Sequence, residues 1–121
     1  MTPDDVARWL DRYSEAWRTY DPQAIRSLFS ADAVLYDHPW EDPIVGPDAI
    51  VEDWLADRDE AGTYDSSYEP WAVDGRRAVG VGTSTYRLEG GGVRVFHNAF
   101  LLEFDDQGAC RSFTDIYLEQ P

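Results

Sequence analysis

The sequence predicts an α+β fold, cone-shaped, with three N-terminal helices packed on one face of a curved antiparallel (mixed) β-sheet. Two patterns predict it. Apolar residues recur at helical spacing as far as Leu55 and then alternate along the rest of the chain. The alternating runs are separated by "DG", "EGGG" and "DDQG", turn signals of the hairpin type.

Thr2, Pro3, Asp4 and Asp5 read as a helix start: a hydroxyl cap, proline in the first turn, and acids against the positive end of the helix dipole. Val6, Trp9, Leu10, Tyr13, Ala16, Trp17 and Tyr20 follow at helical spacing as one broad apolar face. Asp21-Pro22 repeats the start signal, and Ile25, Leu28 and Phe29 suit a short second helix ending near Ser30. "AVLYD" reads as a strand that runs into the acidic, proline-flanked loop "HPWEDP". Gly46-Pro47 opens a third helix with Ile50, Val51, Trp54 and Leu55 as its buried stripe, and Gly62 is placed to end it.

The strands then read "TYDSSYEPWAV", "RRAVGVGTSTYRL", "VRVFHNAFLLEF" and "ACRSFTDIYLE". Gly80 and Gly82 lie two apart on one strand, on the same side, where they relieve crowding in a bending sheet. In the third run Phe96, Asn98, Phe100, Leu102 and Phe104 share the side expected to face the cone, leaving His97 outward.

One domain is expected over residues 1–121, because 43% hydrophobic residues build a single core and leave none for a second. Aromatics at 14% give that interior large flat walls, suited to an apolar pocket or to a filled core. The net charge of −14, with arginine as the sole basic residue type, repels phosphate, so nucleic acid and anionic membrane are not expected partners. Cys110 is the single cysteine, which excludes an intramolecular disulfide and a thiol-based metal cluster. A cytoplasmic location is expected, since no basic, apolar leader and no bilayer-length apolar run occurs. Neither a glycine-rich phosphate loop nor metal-ligand spacing of the H-x-x-x-H kind occurs, so no cofactor and no metal are expected.

The segments "YDPQAIRSLFSADAVLYDHP", "IVGPDAIVEDWL" and "CRSFTDIYLE" resemble the nuclear transport factor 2-like superfamily, in its SnoaL-like and ketosteroid-isomerase-like branch. The resemblance covers nearly the whole chain. It implies the cone fold, a small, mostly apolar ligand, and pairing into a homodimer through the outer face of the sheet. The fold hosts isomerases, cyclases, dehydratases, epoxide hydrolases and proteins without known chemistry. Laid against ketosteroid isomerase, Tyr13 falls on the tyrosine that donates to the substrate oxygen and Asp37 on the aspartate that moves a proton. The third member of that site, an acid, falls on or near Phe100, with Asn98 two residues earlier on the same side.

Asp37 and Tyr13 are therefore the leading catalytic candidates, as general base and as donor to a developing oxyanion with Asn98. On the residues alone, Asp37 reads first as an acid bonding backbone amides in a loop, and it is the resemblance that favours the base; the Tyr13 phenol could be satisfied by a backbone carbonyl. Asp115 is a further catalytic candidate, in the last strand where some epoxide hydrolases of the superfamily place a carboxylate. Trp9, Trp17, Trp40, Trp54, Asn98 and Phe100 are candidates for contacting the ligand, Trp40 as a lid. His38 could shuttle a proton. Glu41 and Asp42 read as solvated, and Cys110 as core. The chain is thus expected to be a cofactor-independent isomerase, cyclase or dehydratase, or else a non-catalytic ligand-binding or dimerisation module. An open cavity of roughly 300 Å³ or more with Asp37 and Tyr13 converging would favour the enzyme; a filled cone with Asp37 exposed, the module.

Overall fold

A computed structural model describes residues 1–121. Helix α1 (Pro3–Thr19) opens with a capping box: the Thr2 hydroxyl accepts from the Asp5 N–H and the Asp5 carboxylate accepts from the Thr2 N–H. It ends at Tyr20, which takes a left-handed conformation, φ 51°, and donates its N–H to the Ala16 carbonyl. Helix α2 (Pro22–Ser27) is capped by Asp21, and Leu28 leads directly into strand β1 (Phe29–Tyr36). That strand is longer than "AVLYD" suggested, because Phe29 pairs with Cys110 instead of extending the helix.

A two-residue strand, β2 (Ile44–Val45), pairs antiparallel with β1 and was not foreseen. Helix α3 (Pro47–Ala56) carries Ile50 and Val51 buried, with Trp54 and Leu55 against the core. It stops at Asp57, short of Gly62. The reason is tertiary. Asp59 is captured by α1: its N–H donates to the Tyr20 hydroxyl at 2.9 Å, and its carboxylate accepts from the Trp17 indole at 3.1 Å.

Strands β3 (Tyr64–Asp74), β4 (Arg77–Arg87), β5 (Val93–Phe104) and β6 (Cys110–Glu119) form the antiparallel meander, and β1 joins β6 in parallel. The sheet order is β2-β1-β6-β5-β4-β3. Its concave face receives the helices. Gly80 lets Leu10 of α1 reach the sheet, where an added Cβ would lie 3.1 Å from the Leu10 tip. A register shift between Pro70 and Ala72 leaves Trp71 unpaired and exposed, bending β3. Trp9, Leu10, Ile25, Leu28, Phe104 and Cys110 fill the narrow end of the cone. The outer face keeps Leu101, Ile116 and Leu118 exposed. No helix is long and apolar enough to cross a membrane.

Candidate functional site

The wide end of the cone is open. A cavity of about 990 Å³ lies between α1, α3 and the concave sheet, walled by Tyr13, Trp17, Trp54, Tyr68, Tyr86, Phe96 and Phe100. Asp37, His38, Asp53, Asn98 and Asp115 are among its polar groups, and Arg87, Arg94 and Glu119 also line it.

Tyr13 is held rigidly among aromatic rings. It stacks on Phe113 at 5.4 Å with planes 14° apart, meets Trp54 edge-on at 5.3 Å, and packs on Phe100 at 5.3 Å. Its hydroxyl bonds no group of the protein and opens to the cavity. Burial holds the phenol protonated, well above its ordinary range, with the nearby Tyr68, Asp115 and Asp37 adding to the effect.

Asp115 projects inward from β6. Burial pushes its carboxyl up to about 6; the Asn98 hydrogen bond opposes this and the neighbouring charge of Asp37 adds to it. Asn98 Nδ2 donates to Asp115 Oδ1 at 3.3 Å, and Asn98 Oδ1 accepts from the Ser84 hydroxyl at 3.0 Å. The amide therefore supports Asp115 with one of its two N–H groups.

Asp37 follows the end of β1. Tyr36 pairs with Thr114, so the parallel strands deliver Asp37 and Asp115 side by side. Asp37 lies at the rim and is exposed, although partial burial and Glu41 raise its carboxyl and His38 lowers it. The expectation that Trp40 would contact the ligand is corrected: Trp40 is 80% exposed, packs outward on His38 at 5.0 Å, and does not line the cavity. The turn His38 to Glu41, closed by a backbone hydrogen bond, carries the indole away from the mouth. It forms no lid here. Glu41, expected to be merely solvated, bonds His38 Nδ1, and His38 Nε2 meets the Tyr117 hydroxyl at 2.9 Å.

Trp9 is also corrected. It is a core residue, 2% exposed, whose indole N–H donates to the Leu28 carbonyl at 3.0 Å; it backs Tyr13 from behind without reaching the cavity. Trp17, Trp54 and Phe100 do line it. Cys110 is buried, its thiol pushed up to about 12, and His97 faces outward onto Gln120. Tyr68, Ser84, Tyr86 and Asp53 also line the cavity and were not singled out. The alternation that put Gly80 and Gly82 on one side of β4 extends to Ser84 and Tyr86, and the same period leads along β3 to Tyr68. No group of three or more His, Cys, Asp or Glu side chains is arranged to hold a metal ion.

A family model described as a SnoaL-like domain matches residues 10–112. The chain belongs to the SnoaL-like domain family. Among solved structures, this SnoaL-like domain is similar to RV0760c from Mycobacterium tuberculosis in complex with estradiol-17beta-hemisuccinate, at a TM-score of 0.72 and 12% identity, covering 98% of this chain and 95% of that one. At that identity the likeness shows the fold: three helices on a six-stranded mixed, open, curved sheet. No curated protein matches.

Proposed function

We propose that this SnoaL-like domain is a cofactor-independent acid/base catalyst acting on a small, mostly apolar molecule that bears a carbonyl or hydroxyl group. The observation that carries the reading is one arrangement: Asp115, half-titrated near pH 6, inside an aromatic cavity with the partnerless Tyr13 hydroxyl. Asp115, more than Asp37, is the proton acceptor. As a carboxylate it removes a proton from carbon next to the substrate carbonyl, and the electron pair moves onto the oxygen, which Tyr13 stabilises by donating a hydrogen bond. Returning the proton to a different carbon isomerises the substrate, and returning it to the leaving hydroxyl dehydrates it. Epoxide opening at Asp115 is a second reading of the same carboxylate, but its flanking groups are Asn98 and Asp37, with no arginine paired to it.

The test is exchange of substrate C–H for deuterium, followed by proton NMR over a panel of cyclic ketones and enones in D₂O. Exchange is expected to rise with pH through about 6, as Asp115 ionises, and to level off above it. Saturable binding without exchange across the panel would leave a ligand-binding module and sink the catalytic reading.

The cavity also selects by charge. Asp37, Asp53 and Asp115 have no cationic side chain paired with them, whereas Arg87 is bound to Asp65 and Arg94 to Glu119. A ligand carboxylate placed among these acids is repelled by an energy on the order of 1–2 kcal/mol at intermediate dielectric. Neutral estradiol is therefore expected to bind about tenfold more tightly than its 17-hemisuccinate, measured by tryptophan fluorescence. Equal or tighter binding of the hemisuccinate would refute this.

We also propose that two copies pair through the outer sheet face, burying Leu101, Ile116 and Leu118. With −14 on each copy, association should tighten with added salt. Leu118→Arg is expected to give monomers in sedimentation; a wild-type chain that is already monomeric would contradict the pairing.

A further inference from the structure

Ser84 is buried, 4% exposed, on the concave side of β4, one strand away from Asn98 and two from Asp115. An asparagine amide is ambiguous: turned one way it offers N–H to a neighbour, turned the other it offers a carbonyl oxygen. Here the ionised carboxylate, which can only accept, takes the N–H face, and the serine hydroxyl, which can donate, takes the oxygen. The Ser84 hydroxyl donates to Asn98 Oδ1 at 3.0 Å, and that leaves Nδ2 directed at Asp115 Oδ1, 3.3 Å away. The chain of donors runs one way, from Ser84 through the amide to the carboxylate.

We propose that Ser84 is a positioning residue for Asp115: by holding the Asn98 amide oxygen it keeps an N–H on the carboxylate and so sets the pH at which Asp115 exchanges its proton. The proposal rests on Asp115 being the proton-carrying group, but its physical content stands apart from catalysis. With the oxygen of the amide held by Ser84, the ionised carboxylate receives a donor. Were the amide free to turn, its carbonyl could accept from the protonated acid and so favour that form. A hydrogen bond to the charged form opposes the effect of burial. Ser84 thus keeps Asp115 within reach of both protonation states near neutrality.

Other groups also act on Asp115 and must be constant in any test. Asp37 and His38 face it from the end of β1, Tyr13 from α1, Tyr68 from β3 and Tyr86 from β4. Of these, Tyr68 also meets the Ser84 hydroxyl, so Tyr68→Phe is the background control for the serine variants; the others take no part in the contact between Ser84 and Asn98.

The experiment is a carbon-13 NMR titration of the Asp115 carboxyl in the whole protein, assigned with Asp115→Asn. In Ser84→Ala the midpoint is expected to rise by about half a pH unit, and in Asn98→Ala by at least as much. In the Ser84→Ala/Asn98→Ala double variant the serine change should add nothing, because its effect passes through the amide. Ser84→Thr, which keeps the hydroxyl, should restore the wild-type midpoint. An unmoved midpoint in Ser84→Ala, or the same rise with and without Asn98, would overturn the proposal. If Asp115→Asn retained turnover while these shifts were present, the catalytic reading would fail and the positioning role would survive.

Discussion

Asp115→Asn is expected to lower proton transfer roughly 100-fold or more while making the protein more stable at pH 7.5. Both effects have one cause. The folded carboxyl, raised from its ordinary 3.8 to about 6 by burial, binds its proton more tightly than the unfolded one. Below about pH 4 the acid is protonated in both states and contributes no difference. As pH rises from there to about 6, the unfolded chain ionises first and stability falls. Above that range the folded protein carries the whole cost of an ionised carboxylate in an aromatic cavity, about 2–3 kcal/mol. An amide of nearly the same shape removes that cost. Thermal melts should therefore show Asp115→Asn above wild type by several degrees at pH 7.5, with the gap closing near pH 4. A variant equally destabilised at both pH values would show that Asp115 is a structural acid and not a strained functional one. Asp37→Asn serves as the contrast: it removes a neighbouring negative charge, so Asp115 should titrate lower, with a smaller loss of turnover because Asp37 lies at the exposed rim.

The ranking proposed for these two aspartates reverses the one read from the sequence, and the reason is depth. Strand period fixes which side a residue takes, and on that basis Asn98 and Phe100 were assigned to the concave face, where the structure holds them together with Asp115. Period says nothing about depth. Asp37 and Asp115 are neighbours across the β1–β6 pair, but one is on the last turn of chain before an exposed loop and the other is overhung by α1 and its aromatic ring set. Trp40 illustrates the same limit. A tryptophan beside an acid reads as a wall for it, until the turn from His38 to Glu41 rotates the indole outward onto the imidazole.

Helix boundaries divide along the same line. The start of α1 was legible because its cap, proline and acids are local, and Thr2 and Asp5 satisfy each other without help from the rest of the chain. The end of α3 was not, since it depends on Trp17 and Tyr20 holding Asp59 from about 40 residues away in sequence. Ser84 was missed for a related reason: a lone serine in "GVGTSTY" has no signature until its partner Asn98 is placed on the next strand.

Gly82→Ala is expected to cost about 3 kcal/mol or more and to abolish ligand binding, although a methyl group in place of hydrogen in a strand would ordinarily be neutral or mildly stabilising through the unfolded state. Gly82 has no positive φ to protect, so the argument is purely steric. An alanine Cβ there would lie 1.9 Å from the Ser67 carbonyl oxygen and 2.8 Å from its carbon. Both are backbone atoms of the paired strand and cannot swing aside. At Gly80 the added Cβ meets only the Leu10 tip at 3.1 Å, which can shift by a rotamer adjustment, so Gly80→Ala should cost about 1 kcal/mol. The difference between the two variants isolates strand displacement from simple crowding. It also reaches the site, because Gly82 is paired with Tyr68 on one side and Asn98 on the other. The Tyr68 ring would be 2.7 Å from the new methyl carbon, and moving it disturbs the wall against which Tyr13 and Phe100 pack. Chemical denaturation of the two variants, with estradiol binding measured on whatever remains folded, checks both halves. Equal stabilities for Gly80→Ala and Gly82→Ala would mean that β3 is not held as closely as the Ser67 carbonyl implies, and that the cone's curvature is set elsewhere, at the bulge beside Trp71.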